Sequence, residues 1–147
     1  MAINNIDREQ VREFGISARM AERNTLDAFQ QAATKFANYP GKASLFGVMY
    51  LLLKLNGEAG ELADHVGKAL RDDPGTFKRL SPDEFQVNEL MPERLDAIIK
   101  ELGDVLWYVA ALADEFGIPL SVVAMQNLDK LLDRQERGRL QGSGDAR

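Results

Sequence analysis

The chain has no cysteine among its 147 residues. A disulfide framework, a thiolate metal site and a thiol nucleophile are therefore excluded, and a reducing compartment is consistent with the composition. Histidine occurs once, at His65. A di-iron helical bundle needs an E-x-x-H pair on each of two helices, which argues against that cofactor. Long apolar runs are also lacking. The strongest, from Leu45 to Leu55, is interrupted by Gly47 and Lys54 and falls short of the roughly 20 apolar residues a membrane span needs. The first residues, Met1-Ala2-Ile3-Asn4-Asn5, lack the basic segment and apolar stretch of a secretory signal. The expected location is cytoplasmic, with no membrane contact. Positive charge is in deficit: the formal net charge is −5, which argues against duplex nucleic acid held by phosphate neutralisation. A polyanionic ligand is still compatible, because acids that hold divalent cations reverse the charge a phosphate meets.

What is present is enough apolar content, 45%, for one globular domain. Four segments carry apolar residues at helical spacing and none shows sustained alternation, which predicts an all-α domain. The first runs from about Asn24 to Asn38, capped by Asn24 or Thr25 and ended by Pro40-Gly41. The second, from about Ser44 to Arg71, repeats Val48, Leu52, Leu55, Ala59, Leu62 and Val66 and stops at Asp72-Asp73-Pro74-Gly75. Residues 75–91 read as an extended connection with room for a short helix. The third segment opens near Pro92 and runs through Ile98, Leu102, Val105 and Val109 to Gly117. The fourth begins near Pro119 and ends about Gly138. Residues 1–23 read as an N-terminal extension, residues 24–138 as the helical domain, and residues 139–147 as a disordered, Gly-rich polar tail. Short breaks between long amphipathic helices predict a four-helix bundle whose core is completed by another copy of the chain.

Two acid pairs share one spacing: Glu58-Ala-Gly-Glu61 on the second helix and Glu101-Leu-Gly-Asp104 on the third. Residues three apart lie on neighbouring parts of one helix face. Lys54, Glu58, Glu61, His65 and Lys68 fall within a sector of roughly 80° beside the apolar stripe. Glu101, Asp104, Tyr108 and Arg94 group similarly. Antiparallel packing then brings four carboxylates to the edge of the core, where each pair at about 4 Å repels by roughly 4 kcal/mol at an effective dielectric near 20. Such a cluster needs protons or hard cations, and magnesium favours carboxylate, water and phosphate oxygens. Gly60 and Gly103, each costing about 1 kcal/mol inside a helix, suggest close approach of the two helices. Against this, single acid pairs of this kind are common on solvated helix faces, and residue chemistry alone leaves both readings open.

The remaining candidates have plainer alternatives. His65 reads as a partly exposed residue on the flank of the acid sector. Asn127, Lys130, Arg134 and Arg137 share a face of the fourth helix that suits phosphate oxygens, but cations near a helix C-terminus are also favoured by its dipole. Trp107 suits either base stacking or packing at a subunit contact.

Gly57-Glu-Ala-Gly-Glu-Leu-Ala-Asp64, Lys68-Ala-Leu-Arg-Asp-Asp73, Glu101-Leu-Gly-Asp-Val-Leu-Trp-Tyr108 and Asn127-Leu-Asp-Lys-Leu131, in that order, resemble the MazG family of all-α NTP pyrophosphohydrolases over about Leu26 to Gly138. The family pattern is EExxE followed by ExxD. The resemblance implies Glu58, Glu61, Glu101 and Asp104 as ligands of Mg2+, with Mn2+ as a substitute. It implies Lys54, Lys68, Asn127, Lys130 and Arg134 as substrate contacts, with Trp107 a further candidate for the base, and it makes Glu61 the catalytic proton acceptor. The implied reaction cleaves an NTP or dNTP between the α and β phosphates, giving the monophosphate and pyrophosphate, in a homodimer or homotetramer. Narrower dUTP, dCTP or phosphoribosyl-ATP pyrophosphohydrolases share the fold. Two departures stand out: Gly57 occupies the position of the pattern's first glutamate, and the segment around Gly75 to Glu89 is longer than usual. A catalytically silent nucleotide-binding or oligomerising bundle is the competing expectation.

Overall fold

The computed structural model describes residues 25–73, 77–81, 84–87 and 91–139. The extension at 1–23 and the tail from residue 140 onward lie outside the described residues. Four helices form the fold: α1 (Leu26–Ala33), α2 (Leu45–Asp72), α3 (Pro92–Glu115) and α4 (Leu120–Glu136), with a 3-10 turn at Thr34–Phe36 after α1.

Local chemistry sets the ends of the helices. Thr25 accepts the Ala28 N–H at 3.1 Å to cap α1, as expected of one of its two candidate caps. At the start of α2, Ser44 accepts the Gly47 N–H at 3.4 Å and donates to the Gly41 carbonyl at 2.6 Å. Gly41 has φ +74°, and a Cβ there would run into Phe46 and the Gly47 nitrogen, so only glycine makes this tight entry to the helix. Pro92 sits in the first turn of α3, where its missing N–H is no loss. Gly117, with φ +64°, closes α3, and the Ile118 N–H reaches back to the Ala113 carbonyl at 2.8 Å.

The connection between α2 and α3 holds no helix among its described residues. It contains two antiparallel strands, β1 (Phe77–Ser81) and β2 (Glu84–Val87), pairing Phe77 with Val87 and Arg79 with Phe85. The expected extended connection thus takes the form of a strand pair, and the short helix it had room for is not seen among the described residues. Aromatic and β-branched residues suit a pleated surface.

Long-range pairs show α2 and α3 to be antiparallel. Glu115, at the end of α3, receives the Ala43 N–H just before α2 at 3.0 Å. At the opposite end, Arg94 is bonded to Asp73 and lies 3.5 Å from Asp72. The buried cluster Ala110, Ala113 and Leu120, with Phe29 and Val109 packed against it, joins α1, α3 and α4. Gln30 is the polar centre of this junction. Its amide nitrogen donates to the Ala110 and Ile118 carbonyls, and its oxygen accepts the Leu120 N–H at 2.9 Å. Asp27 receives both the N–H and hydroxyl of Ser121 at 2.8 and 2.7 Å, and those bonds, the backbone one first, hold its carboxyl below the usual range. One helix thus caps another, which satisfies donors α4 cannot pair internally. From there α4 departs at 103° to α3.

Candidate metal centre

The acids of the two repeated motifs meet where α2 crosses the middle of α3. One carboxylate oxygen each from Glu58, Glu101 and Asp104 lies within 4.8 Å of the others. Glu58 and Glu101 are mostly buried at their side chains, 12% and 14% exposed, while Asp104 faces solvent. Glu61 is not part of this trio. It follows Glu58 by three residues, about 60° further round α2, and that rotation leaves it exposed.

Three carboxylates this close repel one another by roughly 3–4 kcal/mol per pair at an effective dielectric near 20. Lys54, 3.4 Å from Glu58, offsets part of this, and His65 Nε2 stands 3.6 Å from Glu101. The Glu58 hydrogen bond, with Tyr108 next in weight, raises the Lys54 pKa. The remaining charge and the all-oxygen donor set match a hard divalent cation that keeps part of its coordination for water and phosphate. The residues present fit magnesium on these grounds.

Glycine plays a different part from that expected. A Cβ at Gly60 or at Gly103 would meet nothing within 4 Å. Close approach of α2 and α3 therefore does not explain them; they lie on exposed sides of their helices. Gly57 likewise faces open space.

The other expected contacts fall in two groups. Lys54 belongs to the centre. Lys68 is paired with Asp64 at 2.5 Å, a bond that lowers the Asp64 pKa. Asn127, Lys130 and Arg134 lie on α4, whose main packing is on α1 and α3, and Arg137 is bonded to Asp133. Trp107 Nε1 donates to the Ala33 carbonyl at 3.1 Å, and its ring stands edge-on to Tyr108 with centroids 4.9 Å apart. The indole thus ties α3 to α1 beside the centre.

Two residues at this face lay beyond the sequence reading. Tyr50, one turn before Lys54, was accessible to the same periodicity that grouped Lys54 with Glu58. Tyr39 had no such signal, because a loop delivers it. The two rings stack at 6.1 Å with planes 8° apart, and Tyr39 donates its hydroxyl to Glu115 at 2.5 Å. Burial, followed by Glu115, pushes the Tyr39 phenol well above its ordinary range.

The MazG nucleotide pyrophosphohydrolase domain matches residues 46–138 of the chain, a span that holds the whole acid trio. The Gene 37 protein of Mycobacterium phage L5 is 42% identical over 125 residues, covering 83% of this chain and 98% of that protein. No solved structure matches.

Proposed function

From the premise that this chain belongs to the MazG nucleotide pyrophosphohydrolase family, we propose that it hydrolyses NTPs or dNTPs between the α and β phosphates, with magnesium held by Glu58, Glu101 and Asp104. The observation that carries this reading is the convergence of one oxygen from each of those acids within 4.8 Å. Magnesium bound there supplies charge neutralisation on the phosphates and acidifies coordinated water. Manganese, another hard cation, fits the same donors. Lys54, beside Glu58, holds a phosphate oxygen, while Lys68, Asn127, Lys130 and Arg134 are the outer contacts and Trp107 braces the site. Glu61, close in sequence yet outside the trio, is the carboxylate that takes a proton from the attacking water.

A homo-oligomer completes this reading. Leu45 and Leu53 are 75% and 74% exposed, and Met49, Leu52, Leu102 and Leu106 are uncovered too. They lie on the sides of α2 and α3 turned away from the acids: Leu52 is two residues from Lys54, and Leu102 and Leu106 each two from Asp104, or about 160° of helix. Apolar patches of this extent mark protein interfaces, and a second copy, as a dimer or within a tetramer, supplies the matching surface. Nothing in this argument calls for duplex nucleic acid or a membrane: no single helix among the described residues is long and apolar enough to cross one.

The test is incubation of the full chain with magnesium and each common NTP and dNTP, followed by ion-exchange separation and pyrophosphate detection. Monophosphate and pyrophosphate are expected, with loss of at least about 100-fold in Glu61→Gln and in Asp104→Asn. Gly57, open-faced where the family pattern has an acid, favours one second reading, a silent nucleotide-binding bundle. Magnesium-dependent binding of a nucleotide without turnover would select it.

A further inference from the structure

The chain has three tyrosines, and all of them stand along the face that carries the acid trio. Tyr108 follows Asp104 by one turn of α3. Tyr50 precedes Lys54 by one turn of α2, and Tyr39 stacks on Tyr50. The electrostatics of Tyr108 join these groups: burial raises its phenol, Lys54 lowers it, and Glu58, Tyr50 and Asp104 raise it further.

The order along this face is acids, then a lysine, then paired aromatic rings. Tyr50 lies eight residues before Glu58, about 12 Å along the helix axis, a span comparable with that between the polyphosphate and the base of an extended nucleotide. The ring pair is outside the apolar cluster formed by Ala110, Ala113 and Leu120, and both tyrosines are half-buried. Tyr39 is nevertheless held in place. Its hydroxyl is bonded to Glu115, whose carboxylate also receives the Ala43 N–H, and Ala43 sits at φ +61°. These contacts tie the loop that delivers Tyr39 to the end of α3. A fixed, partly exposed aromatic pair lowers the ordering cost of stacking a planar ligand.

We propose that Tyr39 and Tyr50 form the platform on which the nucleobase of the substrate stacks, while Lys54 and the acid trio engage its phosphates. This rests on the pyrophosphohydrolase reading above and adds where the base lies. Stacking recognises a π-face that every base possesses, so the platform supplies affinity for nucleotides as a class rather than choice among bases.

The experiment measures binding of α,β-methylene analogues of the common nucleoside triphosphates, and separately of inorganic tripolyphosphate, to the full chain with magnesium. Tyr50→Leu is expected to weaken the analogues by roughly five- to 150-fold, the range of one base–aromatic stack, and to leave tripolyphosphate unchanged. Tyr50→Phe, which keeps the ring, is expected to bind the analogues as the unaltered chain does. Equal weakening of analogue and tripolyphosphate, or no weakening of either, would overturn the platform while leaving the metal centre standing. If the unaltered chain binds neither probe, the pyrophosphohydrolase reading falls and takes the platform with it. A second readout uses the tyrosine count: a 3-fluorotyrosine-labelled chain is expected to shift its Tyr39 and Tyr50 fluorine resonances with the analogues and not with tripolyphosphate. The absence of that difference counts against the platform even if Tyr50→Leu does not fold.

Discussion

The junction of α1, α3 and α4 and the outer side of the α2–α3 pair solve the same problem in opposite ways. At the junction, small apolar residues close tightly and each polar atom of the buried Gln30 amide has a partner. On the outer side, large apolar residues are left uncovered. Burial in the protomer is correspondingly thin, with Leu51 the one large side chain fully buried among the described residues. The contrast teaches that the single chain closes one of these regions and leaves the other uncovered. The acid trio lies on the remaining side of α2–α3, so its geometry depends on a helix pair that is well anchored at both ends and short of cover along one flank.

The largest expected effect comes from breaking the outer side. Leu52→Glu puts a charge in the middle of the apolar face, and burying an unpaired charge is costly enough to prevent association. Sedimentation velocity is expected to show the change from oligomer to monomer. An unchanged oligomer would place the interface elsewhere and leave the exposed leucines without an explanation.

The junction is broken by Gln30→Ala, which strands the Leu120 N–H and two carbonyls. Each unsatisfied buried group costs about 1–3 kcal/mol, and water entry into the gap offsets part of the sum. A loss of about 2–4 kcal/mol is expected by chemical denaturation, with no change in oligomeric state. A loss below about 1 kcal/mol would mean that the junction is not closed in this way.

The smallest effect sharpens the contrast. Gly57 faces open space in the protomer, so Gly57→Ala is expected to stabilise α2 by about 1 kcal/mol through helix propensity alone. Destabilisation would show that a second copy packs against that position as well, extending the uncovered region toward the acids. Thermal or chemical denaturation at fixed protein concentration reads the sign.

Much of the frame was legible in the sequence because its causes are local. Thr25 and Ser44 cap helices, Pro92 opens one and Gly117 closes one, and each acts through atoms within a few residues. The repeated acid spacing likewise placed Glu58, Glu61, Glu101 and Asp104 on facing flanks, and three of the four converge. Periodicity was a poorer guide where two outcomes share one pattern. The glycines at Gly60 and Gly103 suit either close packing or an open face, and the structure places them on the latter. Residues 77–87 lacked helical period, but only pairing across the connection made strands of them.

The sequence by itself determined the helices, their antiparallel order and the two acid pairs from which the candidate centre is drawn, since backbone geometry converts residue spacing directly into a shared face. Tertiary structure alone decided that Glu61 stands outside the trio, that Gln30 and Asp27 cap a helix about 90 residues away, and that Tyr39 meets Tyr50. Those outcomes depend on rotations of tens of degrees and on loop paths, and the physical forces that set them act between residues far apart in the chain.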